Sequence, residues 1–141
     1  MGKEIEKLIS KAGATFAGLR HLWRQKGISL SLKVRVYKTT VRAVLLYGCE
    51  TWPIRSEDLK RLEVFDHRCL RSLAHIRWNS RISNTAVKKN CFEETVRSSI
   101  EYAVSLSQFR WLGHVLRMHN NRLPYRAMYA TPGSTWRKQA G

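Results

Sequence analysis

Apolar residues recur at every third or fourth position through the first part of this chain. Ile5, Leu8, Ile9, Ala12, Phe16, Leu19 and Trp23 form the first stripe. That period places them on one face of an amphipathic helix running from Lys3 to about Gln25. Gly13 and Gly18 each weaken its interior by about 1 kcal/mol relative to alanine, which leaves room for a bend. Gly27 then supplies a stop.

A second stripe, Leu30, Val34, Tyr37, Val41, Val44 and Leu45, follows a cap at Ser29 or Ser31. Lys33, Arg35, Lys38 and Arg42 fall mostly elsewhere on that cylinder. Positions 34–36 and 39–41 are rich in β-branched residues, so a strand stays open as the alternative. Gly48 ends the helix, and Trp52-Pro53 opposes its continuation. Ser56, followed by Glu57 and Asp58, starts a third helix with an oxygen cap and acids beside the positive end of the dipole. Leu59, Leu62, Phe65, Cys69 and Leu73 point inward there, while Leu70 and Ile76 widen the stripe.

The later pattern is weaker. Asn84 is the expected cap of a short helix ending near Asn90-Cys91, and a long helix is expected over 93–118. Ile100, Val104, Trp111, Val115 and Met118 share one face of it. Phe109, Leu112 and Leu116 lie on an adjoining face, a breadth that suits packing between two partners. The expected fold is therefore all-α: a small helical bundle over 3–78, an irregular segment and a long helix over 79–130, and a flexible tail over 131–141.

Charge sets the function class. Lysine and arginine number 26 against 10 acidic residues, a formal net charge of +16. That is well beyond what solubility asks of a small domain, and its plainest use is neutralising phosphates. Arginine predominates, and its planar fork favours phosphate and base contacts over a lipid surface. No apolar run reaches the roughly twenty residues of a membrane span. Three widely spaced cysteines without a secretory signal fit a reduced intracellular setting, nucleus or cytoplasm, and not secretion.

Arg68, Arg71, Arg77 and Arg81 interleave with His67, His75 and Trp78. Positions 68, 71 and 75 have helical spacing, so they can hold a polynucleotide backbone without reading its bases. Arg110, His114 and Arg117 repeat the arrangement, with Arg122 and Arg126 just beyond. Each set has an ordinary alternative as a solvated helix face. Trp52, Trp78 and Trp111 can stack on bases, but Trp52 and Trp111 read better as core anchors. Glu50 is expected to pair with an arginine of another helix and fix the turn. Cys91, His114 and His119 lack zinc-site spacing, and Cys49 and Cys69 read as small buried hydrophobes. Most of the acids lie at helix starts or in exposed positions without a metal-binding set, and no nucleotide loop or nucleophile elbow occurs. No catalytic residue, metal or cofactor is expected.

The run Tyr47-Gly48-Cys49-Glu50-Thr51-Trp52, followed by Phe65, Arg68, Cys69, Arg71, Arg77-Trp78 and Arg110-Trp111-Leu112-Gly113-His114, resembles the region beyond the polymerase core in reverse transcriptases of non-LTR (LINE-type) retrotransposons. The resemblance runs from about Ala12 to Ala130. It implies a thumb that grips template–primer duplex, then a domain that contacts template RNA or target DNA. Tyr47, Gly48, Glu50, Trp52, Phe65, Cys69 and Trp111 would be its structural residues. Parent proteins of that family are RNA-directed DNA polymerases with an endonuclease, and their palm aspartates have no counterpart here. The expectation is a noncatalytic fragment that binds RNA, DNA or an RNA–DNA hybrid, as a truncated element copy or gene fragment. The alternatives are a module that docks on a separate palm domain and a degenerate, nonfunctional fragment.

Overall fold

The computed structural model describes residues 2–77, 79–92, 98–131 and 133. Among them the chain is all-α, with helices α1 (Gly2–Gly18), α2 (Arg20–Arg24), α3 (Leu30–Thr39), α4 (Val41–Leu45), α5 (Ser56–Leu73), α6 (Asn84–Cys91), α7 (Ile100–Leu116) and α8 (Leu123–Met128). A short 3-10 turn spans Cys49–Thr51. The strand alternative for positions 34–41 is not realised.

Two of the expected helices are each divided. The first breaks at Leu19, immediately after Gly18 rather than at Gly13. Beyond the break, Trp23 Nε1 donates to the Phe16 carbonyl at 2.8 Å, and the two rings stack with centroids 5.3 Å apart. These contacts fix α2 against the last turn of α1. The second expected helix breaks at Thr40. Thr40 Oγ1 donates to the Val36 carbonyl at 2.6 Å, and Thr39 Oγ1 donates to those of Arg35 and Val36 at 3.1 Å. Hydroxyls bonded back onto the preceding turn compete with the helical ladder and bend it.

Helix ends follow local chemistry, with some shifts from expectation. Ser29 caps α3, its Oγ accepting from the Leu32 amide. The cap position of α5 is Arg55, which makes no side-chain bond, and Ser56 is already helical. Ser83 rather than Asn84 caps α6, accepting from the Ala86 amide at 3.2 Å. Before α7, Ser99 Oγ accepts from the Tyr102 amide. The expected start of that helix, Glu93, lies outside the described residues. Helix α4 ends at Leu45, with Leu46 at its C-terminal cap, three residues before the expected stop. Gly48, with φ 73°, instead opens the 3-10 turn in a left-handed conformation that glycine adopts without steric cost.

The described residues fall into two compact units, divided between Gln108 and Phe109. In the first, α1 packs on α4 and α5, α5 packs on α3 and α6, and α3 also meets α6. Tyr37, Leu45, Leu62, Leu70 and Leu73 are essentially inaccessible. Burial of each such side chain is worth about 1.5–3 kcal/mol. Val87, Cys91, Phe92, Ile100 and Val104 join the same core, so compactness continues thirty residues beyond the division expected at 78.

That core also holds charge. Lys33 and Arg42, expected on the outer faces of their helix, are buried, as is Asp66 of α5. Tyr37 Oη donates to Asp66 Oδ1 at 2.7 Å, and Arg42 Nε lies 3.8 Å from the same oxygen. Arg42 also donates to the Ser98 carbonyl and lies over the Phe92 ring. Lys33 Nζ donates to the Trp23 carbonyl at 2.9 Å, a cation at the negative end of α2.

Candidate nucleic-acid interface

In the first unit, Arg68 is exposed on α5 and lines a concavity of about 360 Å³ with Lys60, Arg61, Ile9 and Phe65. Arg61 Nη1 donates to Glu6 Oε1 at 3.2 Å there, an exposed pair of little energetic weight. Arg77 and Arg81 are exposed in the connection between α5 and α6, where the Arg77 carbonyl accepts from Ser80 in a tight turn. Arg71 departs from its expected role. Its Nε and Nη2 donate to Asn84 Oδ1 at 3.1 and 2.9 Å, and Nη2 also donates to the Ile82 carbonyl at 2.6 Å. It braces α5 against the start of α6 instead of standing free for phosphate. Trp78 lies outside the described residues.

In the second unit, Arg110, His114 and Arg117 are all exposed at helical spacing near the end of α7. Trp111 is 39% exposed and lies 5.8 Å from the His114 ring, so it is not the core anchor that was expected. At Gly113 an added Cβ would come within 3.3 Å of Arg117 Nη1, which makes this glycine the space in which that guanidinium lies. Arg122 occupies the cap position of α8, and Arg126 follows on the helix; both are exposed. Tyr125 and Tyr129 pair with ring centroids 4.9 Å apart. No aspartate or glutamate occurs after Glu101, so the cations of this unit have no carboxylate of their own.

The structural residues fare unevenly. Trp52 is buried, and its carbonyl accepts from Gln108 Nε2 at 3.0 Å, tying the turn to α7. Cys69 is buried, and Phe65 is half-buried against Gly13. Tyr47 is 78% exposed, the opposite of an anchor. Glu50 takes part in none of the ion pairs among the described residues. Its charge instead helps burial raise the Cys49 thiol above its ordinary pKa.

The titrating groups here argue for packing roles. Burial, helped by the Asp66 charge, pushes the Cys69 thiol up to about 12 and raises Cys91 as well. Thiols held neutral in this way are poor nucleophiles and poor metal ligands. Burial and the neighbouring Lys88 lower His67, whose Nδ1 is buried without a hydrogen-bond partner. Among the described residues no three histidines, cysteines or acids gather where they can hold a metal, and no helix is long and apolar enough to cross a membrane.

One set of residues, apart from His75, escaped the sequence reading; His75 itself lies beyond the end of α5 rather than at helical spacing from Arg68 and Arg71. Arg20 and Arg24 of α2, with Ser72 and His75 from the end of α5, wall a concavity of about 400 Å³ whose floor includes Phe16 and Trp23. The spacing of the two arginines was a usable signal. Their meeting with α5 was not, because it depends on the break at Leu19. His75 has φ 53°, a left-handed backbone in which a histidine is uncommon.

A family described as a domain of unknown function (DUF6451) matches residues 15–47, a stretch covering the end of α1, α2, α3 and α4. No curated protein and no solved structure matches the chain.

Proposed function

We propose that this chain is a noncatalytic nucleic-acid-binding module, equivalent to the thumb and following region of a non-LTR retrotransposon reverse transcriptase. It grips the backbone of a template–primer duplex or of template RNA. One observation carries the reading. The ion pairs among the described residues engage Arg42, Arg61 and Lys88, whereas Arg68, Arg77, Arg81, Arg110, Arg117 and Arg122 are exposed and join none of them. Exposed cations in such excess repel one another unless a polyanion screens them, and a polynucleotide is the polyanion that arginine forks fit.

A second reading, as a packing module for a separate palm domain, draws on a different feature. Phe109, Leu112 and Leu116 leave apolar surface exposed on α7. Both readings are compatible with one parent enzyme.

The test is binding of an RNA–DNA hybrid by the whole chain across a salt series. The expected result is an affinity that falls linearly with salt on logarithmic axes, with a slope near −0.9 for each phosphate contacted. Absence of binding at the lowest salt overturns the reading.

A further inference from the structure

We propose that the concavity between α2 and the end of α5 is a phosphate seat in which Arg20 and Arg24 share a single phosphate group of a polynucleotide backbone. The inference deepens the nucleic-acid reading and rests on it for the identity of the ligand. Its own support is local. Arg20 and Arg24 are four residues apart, which brings their Cβ atoms within about 6 Å on one face of α2. Both line the concavity, both are exposed, and no carboxylate lines it with them.

Arg24 has no structural task that would hold it elsewhere. A cation in the last turn of a helix commonly serves the free carbonyls, but Lys33 Nζ already donates to that of Trp23. The floor is equally settled, since the Trp23 indole N–H is bonded to the Phe16 carbonyl and the two rings stack. The opposite wall supplies a hydroxyl at Ser72 and an imidazole at His75. His75 occupies the left-handed position after α5, where glycine is usual and would bring no side chain to the rim. A tetrahedral phosphate accepts hydrogen bonds from several directions at once, which suits two guanidinium forks facing a hydroxyl and an imidazole. A planar carboxylate has fewer oxygens to offer such a ring of donors.

The experiment uses the full chain and a labelled RNA–DNA hybrid, with Arg20→Ala, Arg24→Ala, the double variant, and Lys26→Ala as a control outside the seat. Two arginines on one phosphate predict that the double variant shortens the logarithmic salt slope by about one. Each single variant is expected to weaken binding about tenfold, and the double variant little further, because either loss breaks the shared contact. A slope reduced by about two, or additive losses, would mean independent surface contacts and overturn the proposal. So would an unchanged slope.

A second arm titrates inorganic phosphate while following the His75 and Trp23 ring resonances by NMR. Shifts that vanish in the double variant support the seat, and absence of any shift in the unaltered chain overturns it. If the hybrid fails to bind while phosphate still moves these resonances, the broader reading falls and the seat stands. Polyglutamate of matched charge is the remaining competitor. Displacement of hybrid by it as effective as that by unlabelled hybrid would point to an acidic protein and sink the assignment to phosphate.

Discussion

Residues 1–108 and residues 109–131 use their cations in opposite ways. In the first region several are structural: Lys33 holds the end of α2, Arg42 lies in the core beside Asp66, and Arg71 braces α5 against α6. In the second, Val115 is the one buried residue among those described, and Arg110, Arg117, Arg122 and Arg126 are all exposed. Net charge therefore overstates what the first region can offer a polyanion, while in the second every arginine described is available. Apolar groups divide less cleanly, since Tyr47 and Val64 of the first region are also exposed. Leu62, Leu70 and Leu73 are sealed in the core of the first region, whereas Phe109, Leu112 and Leu116 in the second face outward.

The strongest way to break that contrast is to attack the buried charge. Asp66→Ala leaves the Arg42 guanidinium without its carboxylate and the Tyr37 hydroxyl without its acceptor, both inside the core. Removing one partner of a buried pair costs about 3–5 kcal/mol, a large share of the roughly 5–15 kcal/mol that holds a domain folded. Leu116→Ala on the exposed end of α7 is expected to stay within about 0.5 kcal/mol of the parent. Urea midpoints of the two variants decide the matter. Equal costs would erase the distinction between the regions.

That same buried network marks where sequence reading stopped. The stripes of Ile5 to Trp23 and of Leu59 to Leu73 were visible because helical periodicity depends on the sequence alone. The turn at Gly48, whose left-handed backbone suits glycine, was legible too, although the helix itself ends earlier, at Leu45. The break at Thr40 was foreshadowed only by the β-branched run around it, which pointed equally to a strand. Lys33, Arg42 and Asp66 looked like surface residues, since a charge reads as solvated until its partner from another helix is known. Tyr47 and Trp111 failed in the reverse sense. Large aromatics suggest cores, yet both stay accessible, and nothing in their spacing announces it. At the candidate interface the exposed arginines were legible by type and period. The commitment of Arg71 to Asn84 was not, because it crosses from one helix to the next.

Alkaline titration sharpens the comparison at a smaller scale. Burial raises Cys49, Cys69, Cys91 and Tyr37 above their ordinary values, Cys69 to about 12, and all four belong to the first region. The unfolded chain loses these protons first, so their stabilising effect is complete below pH 9 and fades as pH rises toward the folded values. Within that window the Cys69 thiol costs about 1.4 kcal/mol per pH unit. Going from pH 8 to pH 10.5 is expected to remove about 2 kcal/mol through Cys69 alone. Cys69→Ala should start from a lower urea midpoint and then fall less steeply over the same range. A variant as steep as the parent would place the titrating group elsewhere.

The smallest effect expected concerns His75. Its left-handed backbone, φ 53°, brings Cβ close to the following carbonyl, a strain that glycine avoids. His75→Gly gives back part of that gain through the greater freedom of the unfolded chain, leaving a net stabilisation of about 0.5 kcal/mol. Thermal unfolding should register it as a rise of a few degrees. The same variant strips the imidazole from the rim of the Arg20–Arg24 concavity, so binding of hybrid should weaken as the fold strengthens. A residue kept only for packing would not produce opposite signs in the two measurements. If stability and affinity rise together, His75 is strain without function, and the concavity is left with its two arginines as the groups that meet a phosphate.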